Sequence, residues 1–232
     1  MNKTNNGSRY GMTQYCSPRD LEFSGKTLTL SGEGGPVTLT FHDEKFLTCA
    51  AGGEELYSSY EALKAADGAH LIFFGTKDLK VAVIDDVNAS AALSLGEPGS
   101  YMFLKIEGAD AAGAETPGFT DEMTDTHIRW IPAFEKYLEL RFTAPDACEI
   151  TFSPRKDRPR AAQAACIRIR EGLYLTEVNR TSPMWSDMPQ GYSRIVLLQD
   201  YKRLLFAGGI YSPVLNDLKL LSGYGADPEP EN

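Results

Sequence analysis

One three-run pattern occurs twice in this chain, and it restricts the fold more than any other feature. Residues 68–96 read G-A-H-L-I-F-F-G, then K-V-A-V-I-D-D, then N-A-S-A-A-L-S-L-G. Residues 172–209 read G-L-Y-L-T-E-V, then, after a longer loop, S-R-I-V-L-L-Q-D, then L-L-F-A-G-G. Short apolar runs rich in β-formers, bounded by turn residues, describe an antiparallel meander. Gly68 matches Gly172, Asp85 or Asp86 matches Asp200, and Gly96 matches Gly208. A chain that repeats a meander is built from two related β halves.

The totals bound what those halves do. A chain of 232 residues, 42% hydrophobic, has enough apolar material for one large β domain or two small ones. Its net charge of −9 is uneven, with 16 acids against 9 bases over residues 1–117 and 16 against 14 over 118–232. That balance excludes a phosphate-backbone binder, which concentrates Lys and Arg, and argues against anionic membranes. The first twenty residues lack an apolar core segment and no run approaches a membrane span, so a cytoplasmic protein is expected. Four scattered cysteines and three scattered histidines give no metal-ligand spacing. Neither a metal nor a cofactor is expected, and the thiols read as reduced and buried.

Taken in order, residues 1–20 are a flexible polar arm, 21–117 a first β half, 118–222 a second, and 223–232 an acidic tail. Strands are expected at Thr27–Leu30, Val37–Phe41, Phe46–Ala50, Tyr101–Ile106, His127–Ile131, Tyr137–Phe142, Cys148–Phe152 and Cys166–Arg170, besides the two meanders. Helical spacing of Leu56, Tyr60 and Leu63 predicts a helix over Glu55–Ala66, with a bent strand as the rival reading. Leu215, Leu218 and Leu221 predict a short packing helix near the end. The fold class is all-β, antiparallel, with one or two short helices. Strands at this spacing close into barrels or sandwiches. One barrel shared by both halves and two separate barrels are both open.

Alternation nominates the candidate site residues. Tyr137, Glu139 and Arg141 share one strand face, Arg168 and Arg170 share another, and Tyr174 alternates with Leu175 and Glu177. Pointing inward, these residues line a cavity in which Arg grips an anion and Glu139, Glu177 or Tyr137 serves as acid or base. Pointing outward, they are ordinary solvated strand faces. Arg129 and Trp130, beside His127, suit an aromatic or pterin-like ligand, against the alternative that Trp130 is core. Trp185, with Met184 and Met188 in the longer loop, reads as a lid, a loop anchor or a homodimer contact. His70 reads as a satisfied core residue. Asp85, Asp86 and Asp200 read as turn formers. The basic run at 154–160 reads as a solvated loop.

Four stretches resemble the molybdenum cofactor biosynthesis protein F (MoaF) family. They are G-K-T-L-T-L…V-T-L-T-F at 25–41, Y-E-A-L-K-A-A-D-G-A-H-L-I-F-F at 60–74, V-A-V-I-D-D at 81–86, and I-R-E-G-L-Y-L-T-E-V with its closing meander at 169–209. The resemblance implies a lipocalin-like, calycin-type barrel fold in two related halves and a link to the molybdenum cofactor pathway. It brings no catalytic motif. The leading expectation is therefore a barrel that binds a small anionic or aromatic ligand. A cofactor-independent lyase or cyclase using Glu, Tyr and Arg inside the barrel is the alternative, and a non-catalytic interaction module is the third reading.

Overall fold

The computed structural model describes residues 19–75, 78–111, 113, 115–133, 136–152, 159–179 and 193–226. These residues form β-strands and turns, with no helix among them. No described helix is long and apolar enough to cross a membrane. The chain divides into two compact units, Pro18–Gly118 with Arg168–Glu171, and Phe119–Ile167 with Gly172–Asn232.

The first unit is a closed antiparallel barrel of eight strands in sequence order. They are β1 (Thr27–Ser31), β2 (Val37–Phe41), β3 (Phe46–Ala51), β4 (Glu54–Ala66), β5 (Ala69–Phe74), β6 (Lys80–Asp85), β7 (Ser90–Ser94) and β8 (Met102–Ile106). Pairing of β1 with β8, Leu30 opposite Ile106, closes the ring. All eight strands give alternate residues to one apolar cluster that includes Leu30, Leu39, Leu47, Tyr60, Ile72, Ala82, Leu93 and Leu104. A cluster fed by every strand of a closed ring is its lumen.

The second unit contains β10 (His127–Ala133), β11 (Lys136–Ala144), β12 (Ala147–Phe152), β13 (Arg160–Arg170), β14 (Leu173–Asn179), β15 (Arg194–Asp200), β16 (Leu205–Ser212) and β17 (Asp217–Ala226). The ladder runs β12-β11-β10-β17-β16-β15-β14-β13, and an additional β12–β13 pairing closes it. The two-residue strand β9 (Gly118–Phe119) lies beside β13. Here too one cluster collects alternate residues, among them Trp130, Leu140, Ile150, Cys166, Val178, Leu197 and Phe206. Two closed barrels therefore answer the open question of how the halves fold.

The repeat is real in backbone terms. Gly68 O accepts the Asp86 amide at 2.9 Å and Gly172 O accepts the Tyr201 amide at 2.9 Å. Asp85 pairs opposite Ala69 and Asp200 opposite Leu173, so Asp85 is the partner of Asp200 in the repeat. Both carboxylates shape the turn that follows, accepting the Val87 amide in one copy and the Lys202 and Arg203 amides in the other.

Three expectations are corrected. Glu54–Ala66 is a strand, not a helix. Its helix-forming residues are overruled by ladders on both sides, from Phe46↔Ser59 to Ala51↔Glu54 and from Tyr60↔Phe74 to Ala66↔Ala69. The leucines after Ser212 form no helix, because Asp217–Ala226 is the strand that joins β16 to β10 and completes the ring. That strand also takes residues 223–226 out of the expected tail. Gly208-Gly209 does not end a run, since Gly208 pairs with Leu197 and Leu221 and the strand continues to Ser212. Residues 1–18, most of the basic run at 154–160 and the end of the tail lie outside the described residues, while Arg160, read as part of that solvated loop, opens β13.

Candidate ligand site in the second barrel

Alternation along each strand decides what enters the second lumen. Ile128, Trp130, Leu138, Leu140 and Phe142 belong to the lumen cluster, so β10 and β11 turn their even-numbered residues inward. On β14 the inward residues are Tyr174, Thr176 and Val178, and on β15 they are Ile195, Leu197 and Gln199. Register stacks several of them in one belt. Gln199 sits opposite Tyr174 on one side and Phe206 on the other. Phe206 meets Trp130 at 5.3 Å between ring centroids, and Tyr201 sits edge-on to both Trp130 (5.7 Å) and Tyr174 (5.6 Å).

This belt holds polar groups whose hydrogen bonds are incomplete. Trp130 and Gln199 are both 0% exposed. Thr176 Oγ1 donates to Gln199 Oε1 at 3.2 Å, which leaves Gln199 Nε2 with no partner. Trp130 Nε1 and Tyr201 Oη have none either among the described residues. A buried polar group left unpaired costs about 1–3 kcal/mol, so native proteins rarely carry three in one place without a use for them.

The titratable groups nearby stay neutral. Burial, the largest influence, pushes the Cys148 and Cys166 thiols up to about 12. Burial likewise pushes the Tyr201 phenol well above its ordinary value. These groups are not nucleophiles at neutral pH. Among the described residues of this unit, the buried charged ones Glu177, Arg194 and Asp200 lie off the inward parity of their strands, whereas half-buried Arg160, opposite Ile150, has the inward parity of β13 and a buried Nε without a partner. Tyr174 Oη, less buried, donates to Glu122 Oε2 at 2.6 Å. The arrangement is suited to holding a molecule by donors and aromatic walls.

The other nominated residues lie elsewhere. Arg129, Tyr137, Glu139 and Arg141 occupy the outer face of β10–β11. There Glu139 takes His127 Nε2 at 2.6 Å and Arg129 Nη2 at 3.1 Å, while the Arg129 guanidinium lies 4.6 Å from the Tyr137 ring centroid. Arg141 is 4.0 Å from Glu149. This cluster neutralises itself. Glu139→Gln is expected to cost about 1 kcal/mol in chemical denaturation and to leave ligand retention unchanged. Glu177 is buried on the outer side, taking Arg194 Nη2 at 2.8 Å and Asn179 Nδ2 at 2.9 Å. Arg168 and Arg170 group with the first unit, where Arg168 Nη2 meets Glu115 at 3.1 Å and Arg170 pairs with Asp85. Trp185, with Met184 and Met188, lies outside the described residues.

The first barrel carries a second polar centre. His70 has the parity of Ile72 and Phe74 and faces the lumen end, where Phe23 meets it edge-on at 5.0 Å. Both of its nitrogens face carboxylates: Nδ1 pairs with Asp20 Oδ2, and Nε2 lies 3.0 Å from Asp86 Oδ2. A neutral imidazole has one N–H and satisfies only one of them, so this geometry calls for the imidazolium. Burial, the largest influence, disfavours either charge. The Asp20 hydrogen bond and charge, then Asp86, outweigh it at His70, whose pKa is raised. At Asp20 the His70 bond and the Glu22 amide do the same, and its pKa is lowered. Asp20, Glu22 and His70 bring ligand atoms within 4.8 Å of one another. His70 is nonetheless committed to Asp20 and Asp86, and Glu22 to Lys64 at 2.8 Å.

Sequence reasoning missed Gln199, Tyr201, Arg194 and Asp20. Gln199 had a signal: it is the lone amide in I-V-L-L-Q-D, in step with Ile195 and Leu197. Asp20 had none, because nothing local ties a polar arm residue to a histidine fifty positions away. With the geometry in place, the molecule is a double antiparallel barrel with a donor-lined second lumen. Compared with protein-family models and with curated proteins, the chain matches none.

Proposed function

We propose that this protein binds a small organic molecule in the lumen of its second barrel. One observation carries the reading: Trp130 Nε1 and Gln199 Nε2, fully buried within a single aromatic belt, both lack a partner among the described residues. Eight-stranded barrels are wide enough for side chains or for one small ligand, and the unfilled donors favour the ligand. Turnover is the weaker reading. The carboxylates nominated for it, Glu139 and Glu177, lie outside the lumen, and the thiols and the Tyr201 phenol hold their protons. The resemblance to the MoaF family supports placing that ligand in or near molybdenum cofactor biosynthesis.

Native mass spectrometry of freshly purified protein tests this reading. The expected result is a mass above that of the bare chain, released by denaturation and lost in Gln199→Leu while the melting profile stays cooperative. A bare mass, with no shift in melting on adding aromatic compounds, would remove the proposal.

A further inference from the structure

We propose that residues 19–23 are a stopper on one end of the first barrel, latched by the charge on His70 and released, with the ring itself still closed, when His70 gives up its proton. The segment lies against the end where β4 finishes and β5 begins. Phe23 is 4% exposed and belongs to the lumen cluster, stacked on Phe41 at 4.8 Å and edge-on to His70. Little backbone holds it there. The Asp20 amide donates to Ala62 O at 2.8 Å, Arg19 bridges to Leu63, and the Gly25 amide donates to Phe41 O at 2.9 Å. Every strand of the ring, by contrast, is paired on both sides. A segment with so few bonds opens at a lower free energy than the ring it covers.

The charges decide when it opens. The segment brings Asp20 and Glu22; facing them are His70 on β5, Lys64 on β4 and Asp86 in the turn after β6. The other charges nearby are engaged: Arg19 with Glu61 at 3.0 Å, and Asp85 with Arg170, while Asp67 acts on Lys64. With His70 charged, two cations face the carboxylates of Asp20, Glu22 and Asp86, and both ring nitrogens donate. Without its proton, Lys64 alone faces them, and the ring donates to only one of Asp20 and Asp86. Asp86 is 58% exposed and turns to water, but the Asp20 side chain is 1% exposed and reaches water only if the segment lifts. Burial, the largest influence, works against the charge on His70, but Asp20 and then Asp86 outweigh it and its pKa is raised. The latch is therefore complete below about 6.5 and is lost as pH rises through the raised value.

Residue-resolved hydrogen exchange of the full chain, quenched on the millisecond scale at a series of pH values from 6 to 9 and corrected for intrinsic rates, reads the latch. The amides of Asp20 and Gly25 should lose about tenfold or more in protection by pH 9, while Leu71 and Val83 in the ring keep theirs. Asp86→Asn removes one carboxylate that favours the imidazolium, so the loss should begin at lower pH with ring protection unchanged. A merely structural role for Asp86 would leave that midpoint in place. Equal protection of the segment across the series, loss of segment and ring protection together, or an unmoved midpoint in Asp86→Asn overturns the proposal.

Discussion

Replacing His70 with phenylalanine is expected to cost the first barrel about 3–5 kcal/mol, because it strands a buried carboxylate. The Asp20 side chain is 1% exposed and its charge is balanced from within by the imidazolium. Phenylalanine keeps the ring that packs on Phe23 but removes both N–H groups, so the loss is electrostatic rather than steric. The pH profile carries the sharper signature. His70 has a raised pKa, so its contribution is complete below its ordinary value of about 6.5 and is lost as pH rises through the raised value. Asp20 has a lowered pKa, so its contribution is present above about 3.8 and is lost as pH falls through the lowered value. Wild-type stability should therefore be greatest between about pH 4 and 6.5 and decline toward alkaline pH. Urea unfolding of the wild type at pH 6 and pH 9 should show that decline, and His70→Phe should lose it. Parallel profiles for the two proteins would mean the imidazole is neutral in the fold.

Gly223→Val should be equally damaging in the second barrel, costing about 3 kcal/mol or more. A Cβ at Gly223 would lie 2.0 Å from the Ile131 carbonyl oxygen and 2.9 Å from the Phe206 ring. The first neighbour is backbone and cannot turn aside. The second is the ring that packs on Trp130, and a Cβ at the next glycine, Gly225, would fall 2.8 Å from Trp130 itself. The change should therefore lower the melting temperature and move the Trp130 emission together. Gly118→Ala, where a Cβ would meet nothing within 4 Å, is the matched control and should be close to silent.

These two glycines show where sequence reasoning reaches and where it stops. The repeat was legible because a meander is local: turn residues and apolar runs lie next to each other in the chain. Strand number and spacing left barrels and sandwiches both open, and the pairing of β1 with β8 decides for the barrel. The G-Y-G at 223–225 read as the start of a tail because its partners, Ile131, Phe206 and Trp130, are distant in sequence and only ring closure brings them together. Helix periodicity over 55–66 misled for a related reason. Leu56 and Tyr60 are four apart, a spacing shared by one face of a helix and one face of a strand, and pairing with β3 and β5 decides between them.

The site was legible in part. Trp130 and Tyr174 were nominated and both face the second lumen. The polar faces of β10 and β11 were recognised as faces, but alternation alone does not say which side is inside. Leu138, Leu140 and Phe142 face the lumen, and that places Tyr137, Glu139 and Arg141 outside. Gln199 was passed over because a single amide among aliphatic residues looks like noise until its neighbours are known.

The most direct test of the binding claim is a crystal structure of protein purified without added ligand, at a resolution that shows ordered water. The account predicts connected non-protein density, larger than water, within about 2.7–3.2 Å of both Trp130 Nε1 and Gln199 Nε2. Isolated waters on each donor, or a repacked lumen in which both donors find protein acceptors, would contradict it.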